Sequence, residues 1–322
     1  MTDIIAQAVC DSYAENSPRL LTIFTRSPKF IHQESLRHRK IYIQDNLSLD
    51  PDFSLSVSSA RAIPFPKLLE EVRDDDKRAS PVFWGGEKKG MSPGGELSSE
   101  LKAAAQQAWK GAALMAAGAA EVLYGIGTHK SIVNRIIEPY IHVNALFTAT
   151  EPGWLNFFGL RLDKAADPTL RALAEACWKV WNENQPKKLN SGDWHLPYID
   201  ALDWGLGLNE QEVKERLIPA SVARCARLSY LSFETQRRST IEEDLKLYDR
   251  LVGSIPLHSS PAEHQATPDS YHVIHNALIQ DHISGKDIAW DSPHLSGNLG
   301  PGWLQFRKML KNEAIAPLPE GY

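Results

Sequence analysis

The 322-residue chain has little cysteine and no long hydrophobic run. Its three cysteines, Cys10, Cys177 and Cys225, are far apart and form no CxxC pair, which excludes a disulfide framework and a cysteine zinc site. No window approaches the roughly 18 apolar residues of a transmembrane segment, and the amino terminus lacks the pattern of an export signal. We therefore expect a cytoplasmic protein with buried thiols and no membrane partner.

Positive charge is not in excess either. Lys and Arg number 35 against 40 Asp and Glu, which gives a formal net charge of −5. This balance excludes a nucleic-acid partner held through bulk charge, so any anion site must come from arginines that converge locally. The proportions of hydrophobic (43%) and charged (23%) residues are typical of a folded globular protein rather than a disordered one.

Apolar spacing and capping residues predict helices in the middle of the chain. The alanine-rich stretch from Ser98 to Leu123 predicts one long helix that ends at Gly125. Its small side chains allow close approach of another helix, from the same chain or from a partner subunit. Three further helices are predicted from a cap at Thr128, from an Asp167-Pro168 start with a core stripe (Leu170, Leu173, Ala174, Cys177, Trp178, Trp181), and from a Ser239–Glu242 capping box that leads to Gly253.

Strand signals are weaker and lie near both ends of the chain. Residues 20–25 predict a strand, whereas the small-residue run 54–61 is typical of a loop. We predict an α+β fold with a mixed or antiparallel sheet and long helices. The chain is expected to form a single domain, 1–322, with insertions at about 40–52 and 74–95.

Two common ligand motifs are not supported. The stretch 125–131 lacks the GK step of a phosphate loop, and no GxGxxG follows a strand. Five histidines of the late chain could form a metal cluster, but no HExxH or similar constellation accompanies them: His258, His264, His272, His275 and His282. We expect no metal, and a histidine metal hydrolase remains an alternative interpretation.

The triplet Arg37-His38-Arg39 places two permanent cations and an imidazole beside the apolar residues Ile31 and Leu36. Charge next to an apolar segment needs a partner, so the triplet indicates either a bound anion or a basic surface turn.

The residues around this triplet resemble the flavin-dependent thymidylate synthases, the ThyX-type family, which carries the motif RHRxxSxNxxSxR. Arg37-His38-Arg39 matches its first part. Ser54, Ser59 and Arg61 match its second part, with Ser56 in place of Asn and residues 40–52 inserted between the two parts.

Other segments resemble the same family. Asn134–Pro139 resembles the helix whose arginine reaches the nucleotide, and Asn156–Arg161 resembles NFxxLR. Ala223–Tyr230 resembles ARxSY, and His258–His264 resembles HxxPFEH with Ala262 in place of Phe. Because HxxPxEH precedes RHR in most members and follows it here, the chain resembles a circularly permuted member.

The resemblance implies a ThyX-like fold, a homotetramer with shared active sites, and FAD-dependent methylation of dUMP to dTMP with methylenetetrahydrofolate and NADPH as co-substrates. It implies catalytic roles for Arg135 and Arg161. The implied dUMP contacts are Glu34, Arg37, Ser59, Ala60, Arg61, Arg135 and Arg161. The implied FAD contacts are Arg37, His38, Arg39, Asn156, His258, Ser260 and Glu263.

Arginine suits the chemistry of C5 methylation. Guanidinium groups bind phosphate through two hydrogen bonds and place fixed positive charge where negative charge develops on the pyrimidine ring. Two alternatives remain open: 5-hydroxymethylation of dUMP at the same flavin and folate site, and a catalytically silent flavin- or nucleotide-binding module. The second is motivated by Ser56 and Ala262, which depart from the family pattern.

Overall fold

A computed structural model describes residues 3–35, 53–229, 239–254, 257–274, 287–311 and 313. Its strands are β1 (Ile5–Ala14), β2 (Ser17–Pro28), β3 (Ser54–Val57), β4 (His142–Thr150), β5 (Lys187–Leu189), β6 (Ala266–Pro268), β7 (Tyr271–Ile274), β8 (Asp287–Trp290) and β9 (Trp303–Gln305). Its α-helices are α1 (His32–Ser35), α2 (Phe65–Arg73), α3 (Ser99–Gly125), α4 (Lys130–Ile136), α5 (Glu151–Arg161), α6 (Pro168–Glu183), α7 (Ala201–Trp204), α8 (Glu210–Glu212), α9 (Ile218–Ala226), α10 (Ile241–Val252) and α11 (Phe306–Met309). A π-helical stretch, Val213–Leu217, joins α8 to α9.

Five of these strands form one sheet in the order β3-β4-β2-β1-β5. The pairs β1/β2, β2/β4 and β3/β4 are antiparallel, and β5 runs parallel to β1. This mixed sheet, together with the long helices, agrees with the predicted α+β class.

The sheet has one apolar face and one face of mixed character, which we call the polar face because it carries the buried hydroxyl side chains. Leu21, Ile23 and Phe147 pack against the aromatic residues of α5 and against α6. On the other face, Phe24 and Leu146 pack against Cys225 of α9, Thr22 and Thr148 are buried beside His195 and His264, and the small sheet of β6 and β9 extends this layer. The sheet is therefore covered on both faces.

Residues 54–61 were predicted as a loop, and for Ser54–Val57 this prediction is wrong. Leu55 and Val57 pack against the apolar core, while Ser54 and Ser56 are buried on the polar face. The alternation is that of a strand, but serines replace the apolar residues that normally mark a buried side. The strand predicted at 20–25 lies within the longer β2.

The predicted helices are present with small shifts. α3 begins after Ser98, whose hydroxyl accepts a hydrogen bond from the Leu101 N–H, and Asp167 caps α6. The caps of α4 and α10 are His129 and Thr240, each one residue later than Thr128 and Ser239. Trp178, assigned to the core stripe of α6, is 39% exposed.

Helix α3 packs on α2 and α4 through its alanines. Ala113, Ala117 and Ala120 are buried against Leu68, Val72 and their neighbours. Between α2 and α3, the predicted irregular stretch 74–95 carries only an isolated bridge at Gly85, while residues 40–52 lie outside the described ranges. In the described part of the chain, no helix combines the length and apolarity needed to cross a membrane.

Candidate functional site

Three strands bring the segments of interest to one end of the sheet. Pro28, the last residue of β2, pairs with His142, the first residue of β4, and Val57 at the end of β3 pairs with Ala145. Residues that follow β2 and β3, or precede β4, therefore lie at this end. We call it the arginine end, because Arg61 and Arg135 lie there.

The loop after β3 is held by α4. Asn134, which is buried, donates hydrogen bonds from Nδ2 to the carbonyl oxygens of Ala60 (2.6 Å) and Ile63 (3.1 Å). Lys130 Nζ donates to the carbonyl oxygen of Ala62 at 2.7 Å. These three bonds fix the backbone of the loop that carries Arg61.

In this loop Ser59 and Arg61 are exposed, whereas Ala60 is buried in the core that α2, α3 and α4 share. The backbone N–H of Arg61 donates to Ser59 Oγ at 3.3 Å, and both residues are exposed. Arg135 follows Asn134 on α4 and is also exposed, with its Nε bonded to the Ser131 carbonyl oxygen at 3.2 Å. Ser59, Ala60 and Arg61 therefore lie on a loop that is bonded to α4, the helix that carries Arg135.

Helix α5 carries Arg161 back to the arginine end. The helix starts directly after β4, at the opposite end of the sheet, and its 11 residues span about 16 Å. In its last turn, where the helix dipole favours a cation, Arg161 donates from Nη2 to the carbonyl oxygen of Glu34 at 2.8 Å. The Arg161 Nε atom is buried and has no hydrogen-bond partner among the described residues. A buried donor in this condition is one that a ligand can satisfy.

The HxxPxEH-like segment lies at the free edge of β3. The Glu263 carboxylate accepts the backbone N–H of Leu55 and pairs with the Arg307 guanidinium. Burial raises the pKa of Glu263, and the charge of Arg307 opposes that rise. His258 and Ser260 are exposed on the same segment.

Asn156 lies elsewhere, on the outward side of α5. Its neighbours Trp154, Phe157 and Phe158 face the core, and Asn156 itself lines a shallow surface groove of about 690 Å³ that also includes Pro18 and Glu151. Of the expected flavin contacts, Asn156 therefore lies on α5, and Glu263 lies at the edge of β3.

The triplet Arg37, His38 and Arg39 lies outside the described residues.

A buried hydrogen-bond chain crosses the polar face of the sheet, and the sequence did not predict it. His195 bonds Ser12 on β1 through Nδ1 (3.0 Å) and Thr22 on β2 through Nε2 (2.8 Å). Thr22 bonds Thr148 on β4 at 2.6 Å.

The same chain continues to the edge strand through a second histidine. Thr148 bonds His264 Nδ1 at 2.9 Å, and His264 Nε2 bonds Ser56 on β3 at 2.9 Å. Burial lowers the pKa of both His264 and His195 to about 3, so both imidazoles are neutral at physiological pH.

His264 thereby positions the segment that carries Glu263. It follows Glu263 directly and is fully buried, with each ring nitrogen bonded to a hydroxyl of a different strand. Ser56, which stands where the ThyX-type motif has Asn, is one of those partners. Its side chain is therefore part of the buried hydrogen-bond chain. The sequence contained one signal for this arrangement, the second histidine of the HxxPxEH-like segment.

A second unpredicted cluster lies at the arginine end itself. Glu71 Oε1 accepts hydrogen bonds from Arg26 Nη2 (3.2 Å) and from the backbone N–H of His142 (2.8 Å), and it lies 2.8 Å from His142 Nδ1. His142 is 7% exposed, and its Nε2 atom has no partner within the described ranges. The cluster ties α2 to the strands that lead to the arginine end.

The ARxSY-like segment has a structural function. Arg224 donates from Nη1 to Asp203 (2.6 Å) and to the Tyr198 carbonyl oxygen (2.8 Å), and from Nε to Asp244 (2.7 Å). All three charged side chains are buried. This triad joins α9 to α7 and α10.

The late histidines are spread over different environments. His264 is buried in the hydroxyl chain, whereas His258 is exposed and His272 pairs with Asp291 at 3.2 Å. His275 and His282 lie outside the described ranges. Among the described residues, no group of three or more His, Cys, Asp or Glu side chains could hold a metal ion.

Comparison with known proteins gives two kinds of result. No family model matches the chain, and no curated protein matches it. Among solved structures, those of PolB from Streptomyces cacaoi, a UMP/dUMP methylase, are similar to part of it, with 5-Br UMP bound in one case and 5-Br dUMP in the other.

Each PolB structure is 14% identical to this chain in sequence and covers 57% of it. The match covers 90% and 91% of the PolB chain, with TM-scores of 0.41 and 0.42. A likeness of this size does not establish a shared fold, and we base the function on this chain's own residues.

Proposed function

We propose that this protein is an enzyme that modifies C5 of the uracil ring of dUMP. The proposal rests on the arginine end. Arg61, Arg135 and Arg161 lie at this end of the sheet, and Arg161 is held there by its bond to the Glu34 carbonyl oxygen. These are the residues that the motif resemblance assigns to the nucleotide.

The arginine end has the properties of a phosphate and carbonyl site. Arg61 and Arg135 are exposed permanent cations, Arg61 on a loop whose backbone is already fixed and Arg135 on helix α4, so little backbone ordering is needed when a phosphate binds. Arg161 is anchored by one nitrogen and keeps a buried Nε donor for the ligand. In this proposal Arg61 and Arg135 bind the phosphate, and Arg161 donates to a uracil carbonyl oxygen.

The chemical step requires C5 to act as a carbon nucleophile, which places negative charge on the ring and its carbonyl oxygens. A fixed guanidinium that donates to such an oxygen stabilises this charge more than it stabilises the neutral ring. No cysteine is needed for the step. Burial raises the pKa of Cys10 and Cys177 to about 12, so neither thiol is a ready nucleophile.

The specific form that we propose is methylation to dTMP with FAD, methylenetetrahydrofolate and NADPH, as the motif resemblance implies. A bound flavin supplies the hydride chemistry. The same resemblance implies a homotetramer, and in this form residues of several protomers combine in each active site. Release of 5-hydroxymethyl-dUMP is the alternative product of the same site.

The experiment supplies the purified protein with FAD, NADPH, methylenetetrahydrofolate and dUMP deuterated at C5. Loss of deuterium reports substitution at C5, and nucleotide mass separates the methyl from the hydroxymethyl product. UMP serves as the parallel substrate.

Retention of all deuterium in both nucleotides, with the flavin band visible in the protein, would favour a catalytically silent flavin-binding module and reject the proposed enzyme. Binding of dUMP with no flavin band would reject the FAD-dependent form alone.

A further inference from the structure

Lys130, the first residue of α4, carries a positive charge that the nucleotide contacts assigned above do not use. Its Nζ atom donates to the Ala62 carbonyl oxygen at 2.7 Å, so the ammonium group lies against the residue that follows Arg61. An ammonium group has three N–H donors, and this bond uses one of them. In the described part of the chain, Lys130 has no second hydrogen bond and no carboxylate partner.

The bond to Ala62 does not by itself explain a cation at this position. Lys130 is only partly exposed, and a charge drawn out of water needs compensation. The carboxylates on either side of α4 are paired with other cations, Glu138 with Lys29 at 2.5 Å and Glu71 with Arg26 at 3.2 Å. Because an uncharged donor could also bond a carbonyl oxygen, the charge of Lys130 points to an anionic ligand.

Two neighbouring faces of α4 bring positive charges to its first turn. Lys130 and Asn134 are four residues apart on one face, and both donate to the loop that carries Arg61. On the adjacent face the Arg135 side chain folds back along the helix, where its Nε bonds the Ser131 carbonyl oxygen at 3.2 Å. The charged groups of Lys130 and Arg135 therefore both lie beside the first turn of α4, and the loop with Arg61 is bonded to the same turn.

Three cations in one place repel one another, and an anion with more than one negative charge relieves that repulsion. A phosphate monoester carries about two negative charges at neutral pH and offers three acceptor oxygens that point in different directions. Lysine suits such a group as a point charge, while arginine adds planar, paired hydrogen bonds. A nucleoside without phosphate has nothing that would compensate these cations.

We propose that Lys130 binds the phosphate of the nucleotide directly, together with Arg61 and Arg135, and that the phosphate is bound as a dianion. The identity of the nucleotide rests on the proposed function. The stretch 125–131 lacks the phosphate-loop pattern, so this role comes from the position of the Lys130 side chain beside the loop and not from a glycine-rich backbone.

The first test is calorimetric titration of wild type, Lys130→Met and Lys130→Arg with dUMP and with deoxyuridine, which lacks the phosphate. Lys130→Met should bind dUMP about 10-fold more weakly, through loss of a charge-assisted contact, and should bind deoxyuridine as the wild type does. Lys130→Arg keeps the charge and should restore most of the dUMP affinity. An equal loss of affinity for dUMP and deoxyuridine would reject the proposal, because the effect would not act through the phosphate.

Lys187→Met is the matched control. It removes the same charge from β5, which lies at the opposite edge of the sheet from β3, and it should leave dUMP affinity unchanged. Far-UV circular dichroism checks that each variant is folded.

The second test separates a direct contact from an effect on the loop. Arg61→Ala is compared with Arg61→Ala/Lys130→Met. If Lys130 contacts the phosphate itself, the second change weakens dUMP binding several-fold even without Arg61. If Lys130 only holds the loop in place for Arg61, the second change has no further effect, and the proposal is rejected.

The deuterium assay described under the proposed function is run on the same samples. Turnover of dUMP with equal affinity in wild type and Lys130→Met would reject this inference and leave the proposed enzyme standing. Affinity that depends on Lys130 without loss of deuterium would support the phosphate site and reject the enzyme. A wild-type protein that does not bind dUMP would reject both.

Discussion

The guanidinium of Arg161 donates a 2.8 Å hydrogen bond to the main-chain carbonyl oxygen of Glu34, which ties the end of α5 to the segment that follows β2. The bond uses Nη2 and leaves the buried Nε atom to a ligand. The planar fork of arginine is what permits both functions at once.

Replacing Arg161 by Lys should therefore weaken dUMP binding by about 10-fold, because the ammonium keeps the charge but cannot serve both acceptors. Isothermal titration with dUMP measures the change. Arg171→Lys on α6 provides the control, since Arg171 pairs only loosely with Glu175 at 3.6 Å. Equal affinities for wild type and Arg161→Lys would contradict the assignment of Arg161 to the nucleotide.

Replacing Arg135 by Ala should weaken dUMP binding by about 10- to 100-fold through loss of a charge-assisted contact to phosphate. Arg250→Ala is a closely matched control. Arg250 is also an exposed arginine whose Nε bonds a carbonyl oxygen four residues earlier in its helix, at 3.3 Å. The two variants lose the same local interaction, so a loss of affinity confined to Arg135→Ala isolates the contribution of the ligand. Equal losses in both would remove Arg135 from the site.

The buried histidines should make stability fall in mild acid. Burial lowers the pKa of His264 and His195 from 6.5 to about 3, so below pH 6.5 the unfolded chain binds protons that the folded chain does not. Each histidine then removes about 1.4 kcal/mol of unfolding free energy per pH unit, down to about pH 3.

The measurement is urea denaturation between pH 7.5 and 4.5. His264→Gln should be less stable than wild type at pH 7.5, because the hydroxyl chain is broken, but its slope against pH should be shallower by about 1.4 kcal/mol per unit. The exposed His294→Gln should keep the wild-type slope. An unchanged slope in His264→Gln would show that His264 takes up a proton in the folded state.

Arg224→Leu should destabilise the fold by about 3–5 kcal/mol, because it leaves the carboxylates of Asp203 and Asp244 buried without this cation. Arg216→Leu, which removes a half-exposed pair with Glu242, should cost less than about 1 kcal/mol. Urea midpoints of the two variants give the comparison. Similar losses would mean that solvent reaches the triad.

The sequence predicts those parts of the fold that local physics decides. α3 and α6 carry their own caps and periodic apolar faces, and both lie within a residue or two of the predicted bounds. The prediction is wrong for β3 because the buried side of this strand consists of serines. Whether a serine can be buried depends on hydrogen-bond partners such as His264, which are far away in sequence.

For the site, the motif positions led to Arg61, Arg135 and Arg161, and the structure brings these to one end of the sheet. It places Asn156 on α5 and Glu263 at the edge of β3, and spacing along the chain contains no information about that placement. The Arg26–Glu71–His142 cluster was missed for a related reason. Its members come from β2, α2 and β4, and each alone is an ordinary polar residue.

The contact between Ser56 and His264 joins positions 208 residues apart in the chain. During synthesis, the polar side of the edge strand β3 can therefore be covered only after most of the polypeptide has been made. Closure of so large a loop is slow, and until it is complete the partly folded sheet can associate with other chains. Refolding of this protein should accordingly be slow and sensitive to protein concentration, with the last quarter of the chain completing the native state.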